Sequence, residues 1–222
     1  MPGYQVKTEM LLVGGVDTVI RSLLDRQQFD DPSGIAERMG ISSATWPLFG
    51  MIWPSALVLA ARMQAVPLQG RRVLEVGCGL ALASLVVHRR AGDITASDYH
   101  PLTETFLIEN LRLNAMPPLR YRHGDWSVAD PLIGRFDLII GSDLLYERSK
   151  PDELCCFIEQ HAECAIEVIV VDPDRGNRPA FNRGMTALGF DRSEEIVRTL
   201  PGSGQPFKGR VLSYRRGLAP AG

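Results

Sequence analysis

From about Arg72 onward, short continuous apolar runs alternate with stretches whose apolar residues recur at helical spacing. Val73, Leu74 and Val76 form the first run, which ends in an acid and the turn Gly77-Cys78-Gly79. A helical run follows and a second short apolar run closes at Asp98, so Arg71 to Asp98 reads as strand, tight turn, helix, strand. Pro101 to Asn114 predicts a helix through Leu102, Phe106, Leu107, Leu111 and Leu113, and Leu119 to His123 a strand ending at Gly124-Asp125-Trp126. Phe136 to Gly141 is the continuous apolar run of a buried parallel strand, and leads into Ser142-Asp143. Beyond it come a helix over Pro151 to Glu163, a buried strand over Glu167 to Val171, a helix over Arg178 to Leu188, and last strands over Ser193 to Thr199 and Lys208 to Arg215.

Strands that alternate with helices build a parallel sheet covered on both faces, while the closing strand-strand step around PGSGQ predicts an antiparallel hairpin at one edge. The expected fold is α/β and Rossmann-like: a seven-stranded, mostly parallel sheet with one antiparallel edge strand and a small N-terminal β/α extension. The boundaries are 1–45 for that extension or cap, 46–216 for the main domain and 217–222 for a tail. Within the extension, Tyr4 to Lys7, Met10 to Val13 and Thr18 to Leu24 are β-like and broken by Gly14-Gly15, and Ile35 to Met39 is one helical turn in a polar loop. Such a segment suits a lid. Thr45 to Met63 holds two Trp-Pro pairs and then an apolar helix opened by Pro54.

Composition narrows the function classes. A formal net charge of -2 disfavours nucleic acid as a partner. No apolar run approaches the length of a membrane span and no signal-peptide pattern opens the chain, so a cytoplasmic protein without membrane partners is expected. Cys78, Cys155, Cys156 and Cys164 show no zinc-ligand spacing, so no metal is expected. Cys78 reads as a small side chain in the turn, and the other three as ordinary apolar helix residues.

The turn itself selects a ligand class. Only two glycines of a dinucleotide fingerprint are present, with Leu82 at the third position, and Glu75 stands two residues before Gly77. A carboxylate there is badly placed beside pyrophosphate and well placed for a cationic ammonium. S-adenosylmethionine carries such an ammonium, no phosphate, and a ribose for Asp98, 21 positions after Gly77.

The run LEVGCGLA with Asp98, Gly124-Asp125-Trp126 and Gly141 to Tyr146 resembles the class I S-adenosylmethionine-dependent methyltransferases, and within them methyltransferase family 16, which includes many protein lysine methyltransferases. The resemblance runs from about Thr45 to Arg216. IWPSALVLA, the DxxY-like Asp143 to Tyr146, and VDPDRGNRPAF at Val171 to Phe181 carry most of it. It implies that Glu75, Gly77 and Gly79 line the methionine end, Asp98 holds the ribose, Asp125 and Trp126 flank adenine, and Asp143 with Ser142 borders the methionine and the substrate entrance. Asp143 would attract the substrate amine and Tyr146 orient it. Trp53, by its place just before the helix that leads into the turn, is a further candidate for a cofactor contact.

Each assignment has a plainer reading: Asp98 as a helix cap, Trp126 and Trp53 as core, Tyr146 as a ring sealing a strand end, Asp172-Pro173 as a turn. The resemblance implies methyl transfer to nitrogen, most directly a protein lysine, with S-adenosylhomocysteine (SAH) as product. A small-molecule N- or O-methyltransferase and a non-catalytic cofactor-binding module are the alternatives.

Overall fold

The structure is a computed structural model that describes residues 3–147 and 149–218. The last residues assigned to the tail, 219–222, lie outside the described part. Strands β1 (Val6–Val13) and β2 (Val16–Leu23) pair in antiparallel fashion across Gly14-Gly15, whose φ angles of 57° and 79° suit the two-residue hairpin turn. Two separate β-like runs thus become one strand. A short helix α1 (Ile35–Arg38) and a 3-10 turn (Trp46–Gly50) follow, and α2 (Pro54–Arg62) starts on Pro54 as its sequence requires.

The main sheet holds β3 (Arg72–Val76), β4 (Asp93–Asp98), β5 (Arg120–His123), β6 (Phe136–Ser142), β7 (Ala162–Asp172), β8 (Asp191–Thr199) and β9 (Pro206–Arg216), with the interleaved helices α3 (Leu82–Arg89), α4 (Thr103–Leu113), α5 (Lys150–His161) and α6 (Arg178–Ala187). Its order is β5-β4-β3-β6-β7-β9-β8. The hairpin stands at one edge as expected, and the last strand lodges inside it, antiparallel to both β7 and β8.

Why β6 is apolar throughout follows from its two buried faces. Leu138 and Ile140 pack with α2, α3 and α4 residues, whereas Ile139 faces the second cluster with Phe157 and Phe181 from α5 and α6. The extension is clamped to this frame by α4, where Asn110 and Asn114 accept the backbone N–H groups of Arg21 and Val19 at 2.8 and 2.9 Å.

One expectation fails at β7. Ala162 and Glu163 belong to the strand, not to the preceding helix, and the strand starts five residues before Glu167, because Ala162 pairs with Phe136 before a register shift leads to Leu138 and Glu167. Pairing with a buried neighbour overrides local helix propensity there. Cys164 is consequently an exposed strand residue, and Cys156 an exposed helix residue, instead of apolar helix positions.

Candidate functional site

The strand order reverses at β3, which has β4 on one side and β6 on the other, and the crevice beyond the carboxyl ends of these parallel strands is where α/β folds hold ligands. A cavity of about 560 Å³ lies there. It is lined by Gly77, Gly79, Asp98, Asp125, Trp126, Ser142, Asp143, Tyr146 and Trp53 of the residues singled out from sequence, and not by Glu75.

Local conformation explains the turn. Gly77 and Gly79 have φ of 56° and 51°, and Ala81, where a further glycine is common in the family resemblance, has φ of 57°. A Cβ on Gly79 would sit 2.9 Å from the Phe49 carbonyl oxygen, so that turn must stay bare to pack on the 3-10 turn. Cys78 N–H donates to the Ser97 carbonyl at 3.0 Å, which ties the turn to β4.

Carboxylates already occupy the places where phosphate would bind. Glu75, buried, accepts from the N–H and hydroxyl of Ser84 at 2.7 and 2.5 Å, and Ser84 is in the first turn of α3. Burial raises the Glu75 carboxyl to about 7, against the lowering effect of the Ser84 bonds. Asp98 accepts from Gly79 N–H at 2.8 Å on one oxygen and from His100 N–H at 2.9 Å on the other, and burial raises its pKa. With α3's N-terminal donor and the glycine-turn donor both bonded to acids, a pyrophosphate is repelled. The free lone pairs of Asp98 can accept from two hydroxyls. These residues fit S-adenosylmethionine: a ribose at Asp98 and no phosphate at the turn. Glu75 braces the turn from behind through Ser84 and does not itself line the cavity.

Around the other wall, Asp125 accepts from the Ser127 N–H and hydroxyl at 2.8 and 2.6 Å, which leaves Trp126 beside the cavity with the Lys150 ammonium 6.0 Å from its ring centre. Trp53 donates its indole N–H to the Leu48 carbonyl at 2.9 Å, and the Arg26 guanidinium lies 4.5 Å over its ring. Met39, Gly40 and Ile41 of the extension reach the same space, and the Tyr99 hydroxyl donates to the Met39 carbonyl. The extension thus contributes Arg26, Met39, Gly40 and Ile41 to the cavity lining.

The acceptor side differs most from expectation. Asp143 has φ of 55°, its N–H donates to the Val171 carbonyl at 2.9 Å, and Arg175 grips both its oxygens at 2.8 and 2.9 Å. A substrate amine would therefore meet an ion pair, not a bare carboxylate. Tyr146 and Glu147 stand exposed at the mouth, and Glu153, which also lines the cavity, pairs with Lys150 at 2.8 Å.

His100 went unnoticed in the sequence. It is buried, stacked on Phe49 at 3.8 Å and 9°, and its Nδ1 accepts from Leu102 N–H, so the proton resides on Nε2, which has no partner among the described residues. Burial pushes its pKa down to about 3. Nothing in the spacing of Asp98-Tyr99-His100 signals this, since the stack forms with a residue fifty positions away.

A family model described as lysine methyltransferase matches residues 35–179. The electron transfer flavoprotein beta subunit lysine methyltransferase of Xenopus laevis is 28% identical over 137 residues, 58% of this chain and 53% of that protein. The chain thus spans about half the length of that relative. A protein N-lysine methyltransferase of Xenopus tropicalis is 26% identical over 170 residues, 71% of this chain and 77% of that one. Among solved structures, magnesium protoporphyrin IX methyltransferase from Synechocystis PCC 6803 with bound SAH superposes with a TM-score of 0.56 at 16% identity, covering 72% of this chain and 80% of that chain. That last likeness concerns the fold.

Proposed function

The chain belongs to the lysine methyltransferase family, and on that premise we propose that it transfers a methyl group from S-adenosylmethionine to a lysine side chain of a protein substrate. The observation that carries this reading is the cavity itself. Its floor is a glycine turn whose Gly79 donor is bonded to Asp98 and which is backed by Glu75, and its lining reaches the exposed Tyr146 and Glu147.

Asp98 holds the ribose hydroxyls, the Gly77 and Gly79 backbone borders the methionine end, Asp125 and Trp126 flank the adenine, and Ser142 and Asp143 close the methionine side near Trp53. When bound, S-adenosylmethionine supplies an electrophilic methyl on a sulfonium, so the protein's main task is alignment. Holding nucleophile and methyl in line at near-contact distance contributes about 7 kcal/mol or more. Tyr146, at the mouth, orients the amine with its hydroxyl, and the extension with Trp53 excludes water from the floor. Glu147, exposed beside Tyr146, offers an incoming cationic side chain an acid at the mouth.

Incubation of the protein with tritiated S-adenosylmethionine and a cell lysate, followed by separation of proteins from metabolites, tests the reading. Label recovered as methyl-lysine in protein is the expected result. Label confined to metabolites would refute it.

A further inference from the structure

We propose that Arg175 stays clamped on Asp143 while substrate binds, so that the incoming ammonium faces a neutral ion pair and loses its proton to solvent water before its free amine attacks the methyl and S-adenosylhomocysteine leaves. This rests on the lysine reading above. The difficulty it resolves is chemical: a lysine amine arrives protonated, with an ordinary pKa of about 10.4, and a bare carboxylate beside it would hold the proton in place.

The clamp is built to stay. Both Asp143 oxygens are engaged at 2.8 and 2.9 Å in the fork geometry peculiar to arginine. The Arg175 backbone N–H donates to the fully buried Asp172 carboxylate, and Asn177 Nδ2 donates to the Leu145 carbonyl at 2.9 Å. Asp174 in turn pairs with Arg178 and, at 3.0 Å, with Arg210 of β9. The loop after β7 is thus fastened to β9 and to the segment after β6, and it aims one guanidinium at one carboxylate. Swinging Arg175 away would leave an unpaired charge on Asp143, whose side chain is 9% exposed.

Other charged groups around this pair have partners of their own or stand apart from it. On α5, Lys150 and Glu153 pair with each other at 2.8 Å. Asp125 is held by Ser127, Asp98 by the glycine turn, and Arg26 lies on Trp53. Glu147 at the mouth and Asp172 under the loop are acids, and Asp172, raised by burial to about 6, is ionised above neutrality. Among the described residues, Tyr99, Tyr146 and Cys78 also line the cavity, and burial pushes the pKa of each up, that of Tyr146 to about 12.

The test is a pH profile of single-turnover methyl transfer to the protein fraction of a heat-treated lysate, with methyl-lysine measured by mass spectrometry and cofactor affinity measured separately. In Arg175→Gln the rising limb should move up by about one pH unit or more, giving about tenfold less transfer near neutrality, with recovery at high pH and unchanged cofactor affinity. Arg175→Lys, which keeps a cation, should lie between this variant and the wild type. Loss by the same factor at every pH would overturn the proposal, as would faster transfer in Arg175→Gln, which would make Arg175 a plug. If the wild type forms no methyl-lysine at any pH, the lysine reading itself fails and the proposal with it.

Discussion

The two walls of the cavity are built in different ways. On the cofactor side, the key groups are held by near neighbours on consecutive elements: Gly79 by Asp98, Cys78 by Ser97, Glu75 by Ser84 of the next helix. On the acceptor side, Asp143 is held by Arg175 and Val171, about thirty positions away, and the loop that carries Arg175 is itself held from β9. The first wall is a local motif, and the second is assembled by the sheet order that puts β7 beside β6. A local motif is rigid and can be damaged by one backbone change, whereas an assembled one tunes charge through side chains. Cofactor-side substitutions should therefore act on binding, and acceptor-side ones on rate.

Gly79→Val tests the rigid wall most severely. It places a β-branched residue at φ of 51° with its Cβ 2.9 Å from the Phe49 carbonyl oxygen. The left-handed conformation alone costs about 1–2 kcal/mol, and the clash adds to it. Cofactor affinity by calorimetry should fall about a hundredfold or more, equivalent to about 3 kcal/mol. Affinity within a few fold of wild type would show that the turn does not touch the cofactor.

Next in size is Asp98→Asn. The amide can accept on one side only, so either Gly79 N–H or His100 N–H loses its acceptor together with a proposed ribose contact. Charge-assisted bonds of this kind contribute about 1.5–3 kcal/mol, and the dissociation constant should rise about tenfold to a hundredfold, with the rate at saturating cofactor little changed. A variant that binds normally would leave Asp98 as a cap of the following segment.

How far this contrast was readable in advance follows the same division. The strand, turn, helix and strand from Arg71 to Asp98 is encoded by local pattern, and the structure brings Gly77, Gly79 and Asp98 to one cavity as that pattern implies. Glu75 was legible as an acid next to the turn, yet its direction depends on Ser84 in the first turn of α3 and so was not. The Arg175 clamp and the His100 stack join residues distant in sequence, and no periodicity reports such contacts. The strand start at Ala162 failed for that reason too, since pairing with Phe136 decides it.

A smaller effect separates the buried groups by pH. Glu75, raised to about 7 from 4.5, keeps its proton in the folded state between those values while the unfolded chain gives it up. Its contribution to stability is therefore fully present below about 4.5 and is lost as pH rises through 7. His100, lowered from 6.5 to about 3, runs the other way, because the unfolded chain takes up a proton that the fold excludes, so stability is lost as pH falls below about 6.5. The two slopes oppose each other between about pH 5 and 6.5, each at most about 1.4 kcal/mol per pH unit. Glu75→Gln should unmask the His100 limb, so that its denaturant midpoint falls relative to wild type on acidification. A midpoint difference that stays constant over this range would mean that Glu75 is ionised in the fold.

Tyr146→Phe should give the mildest change and the sharpest division between the walls. Its ring is 46% exposed at the mouth, so loss of the hydroxyl leaves the core intact and the melting temperature unchanged. If the hydroxyl orients the amine, one hydrogen bond of about 1 kcal/mol is removed and the rate falls about fivefold at saturating cofactor, with cofactor affinity unaltered. The acceptor wall then acts on the rate alone, as a wall assembled from side chains should. Should Tyr146→Phe weaken the cofactor as much as Asp98→Asn does, the two walls are one binding surface and the division fails. An unchanged rate with unchanged affinity would instead reduce Tyr146 to a ring that seals the end of β6 and move the burden of aligning the amine to the Asp143 and Arg175 pair.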